Sequence, residues 1–309
     1  MLRLIRIENL LFIVLFQYLL RYFIILPVLA SYGIDPVMTH WQFAVLVTAT
    51  VLMAASGNVI NDYFDIYVDR INRPKTIVLD RLFERKIAIL VHVLLTLVAI
   101  FLGMYIAFAT RRVVFVLLFL GIPIVLWFYS THFKRQMLIG NIVVATLTGI
   151  MAYLVVSVEL SFLDLQDINK SNSEGCMHAW YYCVAYSFFA FLCNLAREII
   201  KDIEDIEGDS EYGCKTLPIM LGVGYTKVVI SFLNALTIIM LWSIYCISPS
   251  LQSHPYSELY LAVGLTLPII VNTLLLYKAE SKAEIHRCSL FCKFIMLIGV
   301  LSTLYFWLI

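Results

Sequence analysis

Charge is scarce in this chain. Only 14% of its 309 residues are Asp, Glu, Lys or Arg, against roughly 25% in soluble domains. Net charge is +1, and with no basic tail or aromatic–basic patch nothing points to nucleic acid. Metal-binding thiol spacings are missing too. The seven cysteines (Cys176, Cys183, Cys193, Cys214, Cys246, Cys288 and Cys292) form no C-x-x-C. Most lie in apolar runs and read as small buried hydrophobes, not a disulfide framework or a metal site. The start does not read as a cleavable leader either. Arg3 and Arg6 precede an apolar run from Leu10 to Ala30, longer than the ~7–15 residues of a signal core. It reads as a retained first span.

What the chain has in excess is apolar residues, 62% of the total, more than a soluble domain of this length could hide. The class is an all-α polytopic membrane protein, one membrane-embedded domain over 1–309. Nine stretches are long enough, or nearly so, to span: 10–30, 41–60, 87–109, 113–130, 138–158, 178–196, 225–247, 257–277 and 289–309. Leu217 to Gly224 reads as a re-entrant or interfacial piece. Ser161 to Gly175 reads as a solvated connector, Pro255 as a helix start and Pro268 as a kink.

Lys and Arg fall unevenly between the loops. Eighteen lie on one side, three (Arg111, Arg112 and Lys170) on the other, and Arg21 lies inside the first span. The positive-inside rule then puts the N-terminus in the cytoplasm and the C-terminus outside, in the plasma membrane. Arg21 is a functional hypothesis by default. It faces a lipid-tail cavity, snorkels outward or pairs.

One pattern occurs twice. Asn58, Asp62, Asp65 and Asp69 return as Glu198, Asp202, Asp205 and Asp209, each 140 positions on. Steps of four, three and four form a single helix stripe about 60° wide. The copies follow the second and sixth spans, so the offset implies two four-helix pseudo-repeats plus a ninth helix. Such duplications place ligand sites at the repeat interface in other membrane proteins. Two walls of one cavity are therefore expected.

Carboxylates on one face repel unless a cation sits between them. Asn61, Asp65, Asp69, Asp202, Asp205 and Asp209 offer only oxygen, which suits Mg²⁺ before Zn²⁺. Mg²⁺ takes one or two carboxylates and bridges to substrate phosphates. Lys134, Arg135, Arg197, Lys201 and Arg73 are placed to hold a diphosphate. A diphosphate at a membrane cavity suggests an isoprenyl donor that ionises at its allylic C–O bond. Tyr63, Phe64, Tyr67, Trp127, Phe128 and Tyr129 are candidate faces for the carbocation.

At these residues the chain resembles the UbiA superfamily of intramembrane prenyltransferases. That family has nine helices, N-x-x-x-D-x-x-x-D after the second and D-x-x-x-D after the sixth, matched here by Asn61, Asp65, Asp69 and by Asp205, Asp209. Asp62 and Asp202 match further acidic positions. Asn72-Arg73-Pro74 and Lys215-Thr216-Leu217-Pro218 are also similar. Tyr129, Lys134, Gly140 and Asn141 resemble the segment between helices 4 and 5, with a Tyr-to-Lys spacing of five where some branches have four. The R-P-x-P-S-G that usually follows the first motif is replaced by Lys75-Thr76-Ile77-Val78.

Gly57 to Pro74 and Arg197 to Asp209 look most like the digeranylgeranylglyceryl phosphate synthase branch. The resemblance implies a Mg²⁺-dependent transfer of geranylgeranyl from its diphosphate to a glycerol-phosphate ether lipid hydroxyl. Asn58, Tyr129 and Asn141 become candidate contacts to the carbocation or substrate. Asp62 and Glu198 are candidate bases, beside the product diphosphate. An aromatic acceptor of quinone, haem or chlorophyll synthesis is the alternative within the family. A non-catalytic polyprenyl-diphosphate carrier or transporter is the alternative outside it.

Overall fold

The computed structural model describes residues 5–72, 84–166 and 173–307. Among them nine helices are long and apolar enough to cross a membrane: α1 (Ile7–Ser31), α2 (His40–Asn72), α3 (Arg85–Thr110), α4 (Val113–Thr131), α5 (Ile139–Leu165), α6 (Glu174–Glu204), α7 (Leu217–Ile247), α8 (Ser257–Lys278) and α9 (Lys282–Tyr305). Each overlaps one of the expected stretches, 138–158 and 289–309 being the two not covered from end to end.

Two helices outrun their apolar spans. α2 continues twelve residues past position 60, about 18 Å of rise, and α6 continues eight past position 196. Both extensions remain amphipathic. Val59 and Ile66 bury with Ala88, and Tyr63, Val91 and Leu95 pack on them. Ile199, Ile200 and Ile203 bury with Leu276, Ile285 and Cys288. Asn58 to Asp69 and Glu198 to Asp202 are thus carried on packed helix, not on loops.

The chain divides into two compact units. Unit one is Met1–Lys134 with Met151–Cys183, and unit two is Arg135–Ile150 with Val184–Ile309. The break after Lys134 falls where the expected halves meet, while α5 and α6 each contribute to both units. In unit one the core joins Leu29, Phe43, Leu46, Ile106, Phe119, Val158 and Cys176. Helices α3 and α4 touch at Gly103, where an added Cβ would lie 2.1 Å from the Phe119 ring.

Two proline positions share a local device. A π-helical segment, Arg21–Ile25, precedes Pro27, and another, Tyr260–Thr266, precedes Pro268. Proline removes an i→i−4 hydrogen bond and crowds the carbonyl four residues back, and each ladder widens instead to a five-residue bond: Leu26 N–H to the Arg21 carbonyl and Leu267 N–H to that of Ala262. Gly222 interrupts α7 with φ 82°, ψ 158°, a region essentially restricted to glycine. It separates Leu217–Leu221 from the long spanning part, close to the boundary expected from sequence.

The expected connector from 161 to 175 is partly helix. α5 runs to Leu165, and Asp164 pairs with Arg112 at the start of α4. Arg73 and Lys75-Thr76-Ile77-Val78 lie outside the described residues.

Arg21 neither snorkels nor faces open space. It is 1% exposed, and its Nε donates to Glu159 Oε2 at 2.7 Å, Glu159 being 0% exposed. Its Nη2 donates to the Met38 carbonyl at 2.5 Å, and the guanidinium lies 4.8 Å from the Phe43 ring centre. Charge in an apolar interior is tolerated when paired and hydrogen-bonded in this way. Glu159 escaped the sequence reading because the fifth span was ended at 158. The rule that flagged Arg21 would have flagged it too.

Candidate active site

In unit one the stripe stands on the extension of α2. Asn61 Nδ2 donates to Asp65 Oδ2 at 2.7 Å, one turn away. Lys134, in the short turn Phe133–Arg135 after α4, donates to the same oxygen. Asp65 is buried. Burial alone would push the Lys134 pKa down, but Asp65, helped by Tyr129 and Asp69, outweighs it and holds the ammonium above the ordinary lysine value. Asp62 Oδ1 takes Arg6 Nη2 at 2.5 Å, and Asn58 Nδ2 donates to the Ile5 carbonyl at 3.0 Å. Arg6 had been counted from sequence only as one of the loop cations.

Aromatic rings flank this end of the helix. Phe64 meets Trp127 edge to face at 5.6 Å and Tyr63 at 5.2 Å. His92 tilts against Trp127 at 6.1 Å and contacts the Ser56 carbonyl at 3.0 Å. Tyr67 is covered by two guanidiniums, Arg70 at 5.5 Å and Arg85 at 5.1 Å. Tyr129 is half-buried and Phe128 exposed.

In unit two the second copy is not one uninterrupted helix. α6 ends at Glu204, Asp205 has φ −97°, ψ 8°, and a short helix, Ile206–Glu211, follows. The four-residue spacing survives the break because Asp209 N–H bonds the Asp205 carbonyl at 3.1 Å. Asp209 is buried. Asp202 accepts from Asn141 Nδ2, at the start of α5, at 2.9 Å. Glu198 takes Arg197 at 2.8 Å and Lys201 at 2.6 Å. Glu204, which the sequence reading passed over, meets His286 of α9 at 3.1 Å. The Arg135 side chain is exposed, and its carbonyl accepts the Lys215 N–H at 2.8 Å.

Within neither unit do three or more His, Cys, Asp or Glu of the described residues converge tightly enough to enclose a metal. Asn61 Oδ1 is buried with no hydrogen-bond partner. Such an orphan costs about 1–3 kcal/mol, and a hard cation or its water would satisfy it.

The UbiA prenyltransferase family matches residues 22–298. The chain belongs to that family. As a UbiA member with nine apolar helices among its described residues, it is a multi-pass membrane prenyltransferase. A digeranylgeranylglyceryl phosphate synthase of Methanosphaera stadtmanae is 34% identical over 257 residues, covering 81% of this chain and 82% of that one. Among solved structures, one of digeranylgeranylglyceryl phosphate synthase aligns with a TM-score of 0.62 and 24% identity, over 98% of this chain and 96% of that one. A UbiA homologue from Archaeoglobus fulgidus bound to DMAPP and Mg²⁺ aligns at 0.55 and 15%, over 97% and 98%. These two likenesses are of fold.

Proposed function

We propose that this UbiA enzyme transfers a geranylgeranyl group from its diphosphate to the free hydroxyl of a glycerol-phosphate ether lipid, with Mg²⁺. The observation that carries the chemistry is the buried Asp65 carboxylate, met by Asn61 and by the Lys134 ammonium on a helix extension. The acceptor rests on the name and 34% identity of the Methanosphaera relative.

Each unit's stripe is a candidate Mg²⁺ holder in its own right: Asn61, Asp65 and Asp69 in one unit, Asp202, Asp205 and Asp209 in the other. Mg²⁺ held there supplies charge neutralisation of the departing diphosphate. Lys134 and Arg73 in unit one and Arg135, Arg197 and Lys201 in unit two are the candidate donors to phosphate oxygens, and Asn58 and Tyr129 in unit one and Asn141 in unit two are the candidate substrate contacts. Loss of diphosphate leaves an allylic cation, which the acceptor oxygen attacks as its O–H proton departs. Asp62 and Glu198, both ion-paired in this form, and the leaving diphosphate are the candidate bases for that proton.

The surplus of Lys and Arg on one side supports a cytoplasmic N-terminus, acidic helix ends in the cytoplasm and an outside C-terminus, in the plasma membrane. The chain works as one domain over 1–309. Purified full-length protein with Mg²⁺, C10, C15 and C20 diphosphates and a panel of acceptors tests the reading. The expected product is the phosphorylated glycerol ether bearing one added C20 group. Preference for an aromatic ring would overturn the acceptor assignment.

A further inference from the structure

Three contacts pin the residues before α1 against the α2 stripe. The Ile5 side chain packs on the Val59, Ile66 and Ala88 cluster. Its carbonyl accepts from Asn58, and Arg6 binds Asp62. Asn58 and Asp62 are one turn apart, so the last two contacts share a helix face. Arg6 also holds φ 53°, ψ 59°, a left-handed conformation that a non-glycine residue keeps only where its surroundings impose it.

Unit one therefore presents two carboxylate–cation pairs side by side. Asp65 is matched by Lys134 from the turn after α4, and Asp62 by Arg6 from the segment before α1. Asp62 and Asp65 are three residues apart, about 60° around the helix. The proposed reaction has two anionic substrates, a diphosphate donor and a phosphorylated acceptor. Arg6 immediately precedes a spanning helix, at the level where lipid phosphates lie. Its side chain is 36% exposed, against 17% for Asp62, so an anion can approach while the carboxylate keeps the guanidinium aimed. The five-donor fork of arginine fits phosphate and carboxylate together.

We propose that Arg6 binds the phosphate monoester of the acceptor lipid and determines acceptor specificity, with Asp62 as its positioning residue. This rests on the glycerol-phosphate acceptor reading above. In full-length enzyme, Arg6→Gln raises the acceptor KM on the order of ten- to a hundredfold and moves the donor KM far less. The wild type prefers the phosphorylated acceptor over its phosphate-free alcohol, and the Gln variant loses that preference. Arg6→Lys, which keeps the charge without the fork, falls between and guards against a Gln variant that fails to fold. An acceptor KM left unchanged by both variants, or a donor KM raised as much as the acceptor's, assigns Arg6 elsewhere and overturns the proposal. Wild-type enzyme that prenylates no glycerol phosphate would overturn the reading beneath it, a result separable from normal wild-type transfer with an unaffected variant.

Discussion

Lys134 and Asp65, 69 residues apart in sequence, form an ion pair on one carboxylate oxygen that also accepts from Asn61. A divalent ion on that carboxylate would compete with the Lys134 ammonium, which is also a donor suited to phosphate. Lys134→Met is expected to bind Mn²⁺ alone about tenfold more tightly than wild type, as an opposing cation is removed. Turnover should fall, because the diphosphate loses a charged donor. Electron paramagnetic resonance of free Mn²⁺ measures the first effect and product formation the second.

Asp65→Ala and Asp205→Ala probe the stripes of the two units separately. Each should lower kcat by at least about a hundredfold, the scale of removing one electrostatic stabiliser of a developing charge. Chelating the metal from wild type should abolish transfer, and added Mg²⁺ should restore it. Activity retained in either alanine variant would remove that stripe from the metal role.

The Arg21–Glu159 pair makes a stability prediction independent of catalysis. Both side chains are essentially inaccessible, so removing either leaves a buried charge uncompensated, at roughly 3–5 kcal/mol. Glu159→Leu and Arg21→Met should each lower the detergent-solubilised protein's unfolding temperature sharply. The double variant should recover much of the loss, since its contributions are not additive. Calorimetry or intrinsic fluorescence across the four proteins provides the cycle.

The two kinds of information divided along physical lines. Spans are written in local hydropathy, and all nine were legible. So was the acidic echo, because helix periodicity maps spacing onto a face. Helix ends were not, because α2 and α6 are carried past the apolar stretch by tertiary burial of Ile66, Ile199 and Ile203. The break at Asp205 depends on backbone angles that the sequence pattern does not encode. Partners distant along the chain were hidden for the same reason. Arg21 was flagged but Glu159, 138 residues away, was not, and nothing local ties Arg6 to Asp62.

The central claim is group transfer with loss of diphosphate, and the stoichiometry of that transfer tests it most directly. Purified full-length protein is incubated with Mg²⁺, labelled geranylgeranyl diphosphate and the glycerol-phosphate ether acceptor. Released diphosphate and prenylated lipid are then counted in the same sample. The account predicts equal amounts of each, dependent on both metal and acceptor. Labelled donor that stays bound and intact, with neither product formed, would contradict it and identify a carrier.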